Sequence, residues 1–438
     1  MPEYPSRSSV HIDIGTAAET ASAVLDSDSP FRILVLGDFS GRAQRGEKAP
    51  LPERRAVKID CDNFDEVLEQ MEVKLEVPFA KLRFRELEDF HPDRLYRAAP
   101  VFEQLENLRP AAPPAQTARA GLLEDMIGMT ESQEVRAEDA NDLAGFIARV
   151  SRQHLEERPD AAKQAFKAKV KAAAAEQMKA ILHHPGFQAL EAAWRSVSMV
   201  VMGLGAEEGI EIAICDVTLE ELTADADAAA AWLAGSRKPW TLVVANCAFG
   251  QGAEDARRLA ALGRAARAAG APLLAEALPP SGEGSAEWTA LRRSAEARWI
   301  GLALPRYLVR LPYGKTTSPV ESLEFEEMPV STHSDYLWGN PAFCCAFLIG
   351  QAFRTHGWNM RPGMHRRMDG LPLHIYRHQG ENVSKPCAEV LLSENEAEQL
   401  LDLGFIPLAS VKDQDAVLVV RFCSIAEPAA TLPGRWAQ

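Results

Sequence analysis

The chain lacks most of the short signatures that announce chemistry. Its seven cysteines, Cys61, Cys215, Cys247, Cys344, Cys345, Cys387 and Cys423, include no CxxC pair, so zinc-ribbon and thioredoxin-like sites have no support. They are odd in number, scattered and mostly in apolar surroundings, which reads as reduced core thiols of a reducing compartment. No apolar run approaches the ~20 residues that span a bilayer. The opening MPEYPSRSSVHIDIG has no basic stretch followed by an apolar one. The expected location is therefore the cytoplasm, with no direct membrane insertion. Positive charge is also short: 47 Lys and Arg against 62 Asp and Glu give a net charge of −15. That balance argues against nucleic acid or an anionic membrane surface as a partner.

Catalytic patterns are equally scarce. No GxSxG elbow is present, and no GxGxxG follows a strand. Gly314-Lys315-Thr316-Thr317 resembles the end of a phosphate loop, but Val309 stands where the first glycine belongs. His374 and His378 lie four apart without the glutamate of a helical zinc motif. Glu324, Glu326 and Glu327 alternate with Leu323 and Phe325, which reads as a strand edge with a solvated acidic face. No catalytic residue, cofactor-binding residue or metal ligand is assigned, and no enzyme or cofactor is expected.

What remains is a normal globular composition, 47% hydrophobic and 25% charged over 438 residues. This length holds about two to three domains with sizeable cores. Val10, Ile12 and Ile14 alternate with polar residues as a short strand. FRILVL, residues 31–36, is a buried strand ended by Gly37-Asp38. A strand at 57–59, a helix capped by Asp62 or Asn63, a strand around Leu82 and Phe84, and a helix over 93–109 follow. PAAPPAQTA, residues 110–118, is the clearest linker. Beyond it, Asp160 caps an alanine-rich helix that Pro185-Gly186 ends. Phe187, Leu190, Trp194, Val197, Val201 and Leu204 then recur in steps of three and four, a strong amphipathic helix. After Gly209 strands and helices alternate: 210–214 strand, 219–233 helix, 240–244 strand, 253–269 helix, 271–278 opening with a strand. A buried helix at 342–353, a helix at 394–403 closed by Gly404 and a strand at 416–422 complete the reading. The fold class is α/β, mixed with α+β character. The expected domains are 1–110, a linker at 111–121, a helical segment at 122–205 and an α/β domain with a mixed sheet at 206–438.

Two motif sets carry a family resemblance. FRILVLGDFSGR, VKIDCDNFDEVLEQM and LRFRELEDFHPDRLYRAAPVFEQLENLR, at 31–42, 57–71 and 82–109, resemble the small sheath subunit (TssB/VipA-like) of type VI secretion systems. ILHHPGFQALEAAWRSV at 181–197, RWIGLALPRYLVRLPYG at 298–314, LEFEE at 323–327 and DYLWGNPAFCCAFLIGQAFRTHGW at 335–358 are similar to the large subunit (TssC/VipB-like). GLPLHIY and LLDLGFIPLA extend that series, which covers about 130–425. The resemblance implies packing roles for Gly37, Asp38, Phe64, Phe90, Phe187, Leu190, Trp194, Arg195, Pro305, Arg306, Pro312, Tyr313, Gly314, Trp338, Gly339 and Trp358.

It also implies an intertwined small–large unit that stacks helically around an inner tube and contracts, with neighbours linked by exchanged strands. The 10–14 arm is the candidate assembly strand, with an ordinary edge strand of its own domain as the alternative. Implied partners are further sheath protomers, an inner-tube (Hcp-like) protein, baseplate proteins and a ClpV-type recycling ATPase. The stretch matching that ATPase's recognition helix is internal here, so its site is not carried over. The family has two separate chains, and its large subunit usually continues further. The expectation is thus a fused small/large protomer of a contractile sheath, with a non-polymerising cap, terminator or baseplate adaptor as the alternative.

Overall fold

Residues 31–36 form a strand for a simple reason: a run this apolar is stable only when both faces of the sheet are covered. In the computed structural model, which describes residues 29–78, 80–108, 159–205, 209–282, 284–329 and 332–436, this strand, β1 (Phe31–Gly37), is almost wholly buried. The remaining strands are β2 (Val57–Ile59), β3 (Lys74–Val77), β4 (Ala80–Arg83), β5 (Ile210–Asp216), β6 (Leu242–Phe249), β7 (Leu273–Ala277), β8 (Ile300–Leu304), β9 (Tyr307–Leu308), β10 (Trp338–Gly339), β11 (Arg367–Met368), β12 (His374–His378), β13 (Glu381–Lys385), β14 (Phe405–Ser410) and β15 (Val417–Val419). Nine of them make one sheet, in the order β11-β15-β14-β8-β7-β6-β1-β5-β2. Three two-stranded ribbons, β3-β4, β9-β10 and β12-β13, lie outside it.

The order places β1 inside the C-terminal region's sheet. It runs parallel to β5, with Phe31 opposite Ile210 and Gly37 opposite Asp216. It also runs parallel to β6, with Ile33 opposite Leu242. The antiparallel β2 closes one edge beside β5. Strands from before and after the 110–118 stretch thus share one ladder. Because side chains alternate along a strand, β1 feeds two cores. Ile33 and Val35 face the layer containing helices Pro185–Leu204 and Ala342–His356. Leu34 and Leu36 face the layer of helices Ala226–Ala234 and Ala253–Ala269. The α/β class and its mixed sheet are as expected.

Local departures have local causes. The helix expected over 93–109 is two, Pro92–Ala98 and Pro100–Leu108, because Pro100 holds Ala99 in extended backbone. The helix expected over 219–233 is Leu219–Thr223 and Ala226–Ala234, each started by its own cap, Thr218 and Asp225. Asn63 precedes helix Phe64–Gln70, but its Oδ1 accepts the Asp60 N–H instead of capping. The final strand contracts to β15. No strand forms at 323–327. Val10, Ile12 and Ile14, the 110–118 linker and the Asp160 side chain lie outside the described residues. Among those residues no helix is long and apolar enough to cross a membrane, and no His, Cys, Asp or Glu group is arranged to hold a metal ion.

Candidate functional site

Helix Pro185–Leu204 is where the two motif sets meet. It starts after His184, whose ring accepts the Gly186 N–H. Its apolar side points at the N-terminal region. The Trp194 indole donates to the Phe39 carbonyl at 2.9 Å and meets the rings of Phe39 and Phe64 edge-on, both at 5.7 Å. Two turns earlier Phe187 packs edge-on against Phe84 and Phe90, which stack on each other at 4.1 Å. Such aromatic pairs add roughly 0.5–1.5 kcal/mol each beyond the area they bury.

The Gly37–Arg42 turn is fastened by carboxylates. Asp38 accepts the N–H groups of Gly41, Arg42 and Ala43 at 2.8–2.9 Å. Asp216, at the end of β5, accepts those of Phe39 and Ser40 and the Ser40 hydroxyl. Burial pushes the Asp216 carboxyl up despite these donors. Gly41 has φ +76°, and a Cβ there would sit 2.5 Å from the Lys74 carbonyl, so no other residue fits. Leu190 packs against the same turn. Arg42 then reaches Glu221 at 2.9 Å, and Arg54 reaches the same oxygen at 3.1 Å.

The neighbouring side of the helix is charged and equally buried. The Arg310 guanidinium lies 2.8 and 3.2 Å from the two oxygens of Glu191, and 2.8 and 3.0 Å from those of Glu327. Arg195 adds a 2.8 Å bond to Glu191 and donates to the Tyr313 hydroxyl at 3.1 Å. The Tyr313 N–H donates to Glu327 at 2.7 Å, and its ring lies 4.2 Å below the Arg310 guanidinium. His91 meets the same ring edge-on. Burial alone would raise the Glu327 carboxyl. Arg310, His183 and the Tyr313 N–H more than offset it and hold Glu327 down at about 2. Burial likewise pushes the Tyr313 phenol well up. Two cations and two carboxylates compensate each other here, a neutral buried network rather than a catalytic pair.

Of the residues singled out from sequence, Gly37, Asp38, Phe64, Phe90, Phe187, Leu190 and Trp194 converge on the aromatic joint. Arg195 and Tyr313 belong to the charged one. Pro312 and Gly314 shape the turn after Arg310: the Pro312 carbonyl accepts the Thr317 hydroxyl, and the Gly314 N–H donates to the Ser318 carbonyl. The structure does not bring the others here. Pro305 and Arg306 follow β8, and Arg306 grips Glu389 with two bonds of 2.6 and 2.8 Å. Trp338 and Gly339 form β10, where a Cβ on Gly339 would meet the Tyr307 ring at 2.8 Å. Trp358 sits at the start of β1, donating to the Ser29 carbonyl and packing on Phe31.

The solvated acidic face expected at 324–327 is wrong for Glu327, which is buried. Sequence parity contained the clue: Leu323, Phe325 and Glu327 alternate together and all turn inward, whereas Glu324 remains exposed. Glu191 and Arg310 were also missed. Glu191 follows Phe187 by four and so continues a buried row of the helix, a placement that demands a buried cation.

Comparison with known proteins divides along the same joint. Residues 164–281 and 280–426 match VipB, the EvpB-type tail sheath N-terminal domain. Residues 6–112 match the type VI secretion system VipA family. Over 294 residues the chain is 29% identical to the type VI secretion system sheath protein TssC1 of Pseudomonas aeruginosa, covering 58% of this chain. The chain spans 59% of the length of that relative.

Proposed function

The chain belongs to the type VI secretion tail-sheath family, and on that premise we propose that it is a structural, non-enzymatic sheath protomer with small-subunit-like and large-subunit-like parts in one polypeptide. The observation that carries this reading is the position of β1. A strand from the VipA-matching region lies between two strands of the VipB-matching region, with Trp194 and Phe187 anchoring the turn behind it. Joining the two parts fixes their ratio and makes their pairing intramolecular. The boundary between them is assigned to 111–121, and it separates two sequence regions that build one sheet.

The partners on this reading are further copies of the protomer, an inner-tube protein and baseplate proteins in the cytoplasm, with a recycling ATPase of the ClpV type acting on the assembly. The arm carrying Val10, Ile12 and Ile14 adds to a neighbour's sheet edge, with backbone hydrogen bonds supplying affinity and alternate apolar side chains supplying register. Electron microscopy of the purified protein, alone and with the inner-tube protein, tests the reading. Long tubules with a ridged cross-section are expected. Only monomers or small closed oligomers under both conditions would overturn it. Deleting residues 1–16 is expected to abolish tubules while leaving the thermal melt intact; tubules that survive the deletion would remove the arm from the assembly.

A further inference from the structure

A cleft of about 900 Å³ opens at the β2 edge of the sheet, between residues 54–58 and 235–240. Its walls carry Arg32, Arg54, Arg55, Lys58, Arg237 and Lys238 with one carboxylate, Glu211; Arg54 and Lys58 are paired outside the wall, with Glu221 at 3.1 Å and Asp60 at 3.2 Å. This concentration of cations stands out in a chain of net charge −15. Glu211 is already shared, 2.9 Å from Arg32 and 3.2 Å from Lys238. Arg32 is further held 3.9 Å over the Trp240 ring. Arg55 and Arg237 are exposed and have no ion-pair partner among the described residues. Like charges gathered in a concave wall repel one another and focus their field outward, toward an acidic partner.

The far side of the sheet offers the complement. Helix Glu394–Asp402 packs on β14, which the strand order places six spacings from β2, about 29 Å. Not one Lys or Arg occurs from residue 386 to 411. Ala397, Leu400 and Leu401 are buried, while Glu394, Glu398 and Asp402 follow one another at four-residue steps on the exposed row. Like charges at that spacing disfavour a helix unless a cationic surface meets them. Val390 and Leu391, just before the helix, are also exposed.

We propose that helix Glu394–Asp402 of one copy docks into the basic cleft of the next. This rests on the sheath reading and names one of its contacts. The two patches are different surfaces at opposite ends of one sheet, so the contact is heterologous. Such a contact propagates into a ring or a helical array rather than stopping at a two-fold dimer.

The test uses the full chain with charges reversed at exposed positions: Arg55→Glu with Arg237→Glu in the cleft, and Glu398→Lys with Asp402→Lys on the helix, where a C-terminal lysine suits the helix dipole. Sedimentation velocity at low and high salt reads self-association, electron microscopy reads tubules, and thermal melts confirm folding. Each variant is expected to weaken self-association by about tenfold or more. Mixing the two variants, or combining all four changes in one chain, is expected to restore it. Tubules or oligomers that ignore every reversal overturn the inference and leave the sheath reading standing. Salt-sensitive small oligomers that the combined variant rescues, without tubules, overturn the sheath reading and support the inference. Loss of inner-tube capture with self-association unchanged assigns the cleft to the tube and overturns the inference. A monomeric parent chain overturns both.

Discussion

Two adjoining sides of helix Pro185–Leu204 hold the molecule together by opposite means. The apolar side meets Phe39, Phe64, Phe84 and Phe90 through rings, and its stabilisation is spread over many contacts. The charged side meets Arg310 and, through it, Glu327, and its stabilisation depends on completeness. Trimming a ring leaves the other rings in place. Removing one carboxylate leaves a buried guanidinium short of a partner, and that costs more than the whole network contributes. The apolar side therefore degrades by degrees, while the charged side fails at once.

The largest expected effect breaks the charged side. Glu327→Ala should cost about 3–5 kcal/mol in urea denaturation near neutral pH. A loss under about 1 kcal/mol would show that Arg310 does not depend on it. The same carboxyl supplies an acid limb. Its folded-state pKa of about 2 lies below the ordinary 4.5, so its stabilisation is complete above that value and is lost as pH falls toward 2. Glu327→Gln should flatten stability against pH over that range.

Glu276 sharpens the contrast, being a mostly buried carboxyl whose nearby cation is engaged elsewhere. Burial pushes it up to about 7; Arg306, held by Glu389, offsets this only in part, and the Glu389 carboxylate adds to it. The folded state holds this proton more tightly than the unfolded chain does. Glu276 thus favours folding most below the ordinary carboxylate range, and that contribution is lost as pH rises through about 7. Glu276→Gln should gain up to about 3 kcal/mol over the parent in mildly alkaline buffer and nothing at about pH 4 or below, where the carboxyl is protonated in both states. An equal gain in both would locate the effect in packing.

On the apolar side, Trp194→Phe keeps a ring but strands the Phe39 carbonyl. A loss of about 1–3 kcal/mol is expected, measured by the same denaturation. The smallest effect tests the turn itself: Asp38→Ala removes the acceptor of three N–H groups and should cost about 0.5–2 kcal/mol, read as a lowered melting temperature.

The two sides also differ in how far the sequence betrayed them. The steps from Phe187 to Leu204 announced the apolar side, because burial of nonpolar groups leaves a period in the chain. Gly37-Asp38 announced the turn. Arg310 left no such trace, and Glu191 and Glu327 left only their places in otherwise apolar rows. Apart from Arg195 on Glu191, their partners lie more than ten residues away in sequence, and a charged letter looks the same whether water or a guanidinium solvates it. Strand identity was legible for β1, β5, β6 and β7, since their apolar runs are local. Their order was not. Nothing near residue 31 says that its neighbours lie beyond residues 209 and 241, since ladder partners are fixed by tertiary packing. Pro100 was the reverse case, a visible breaker overridden by the periodicity around it.

The place of β1 sets the order in which the chain is made against the order in which it can be built. Synthesis delivers residues 31–37 near the start, yet β6 ends at residue 249. At about 5–20 residues per second this leaves the middle of the sheet waiting roughly 10–40 s for both of its flanking strands. Until β5 is made at residues 210–216, Ile33 to Leu36 have no ladder of this sheet to enter. However early its central strand is made, the sheet therefore closes only once residues 210–249 have followed.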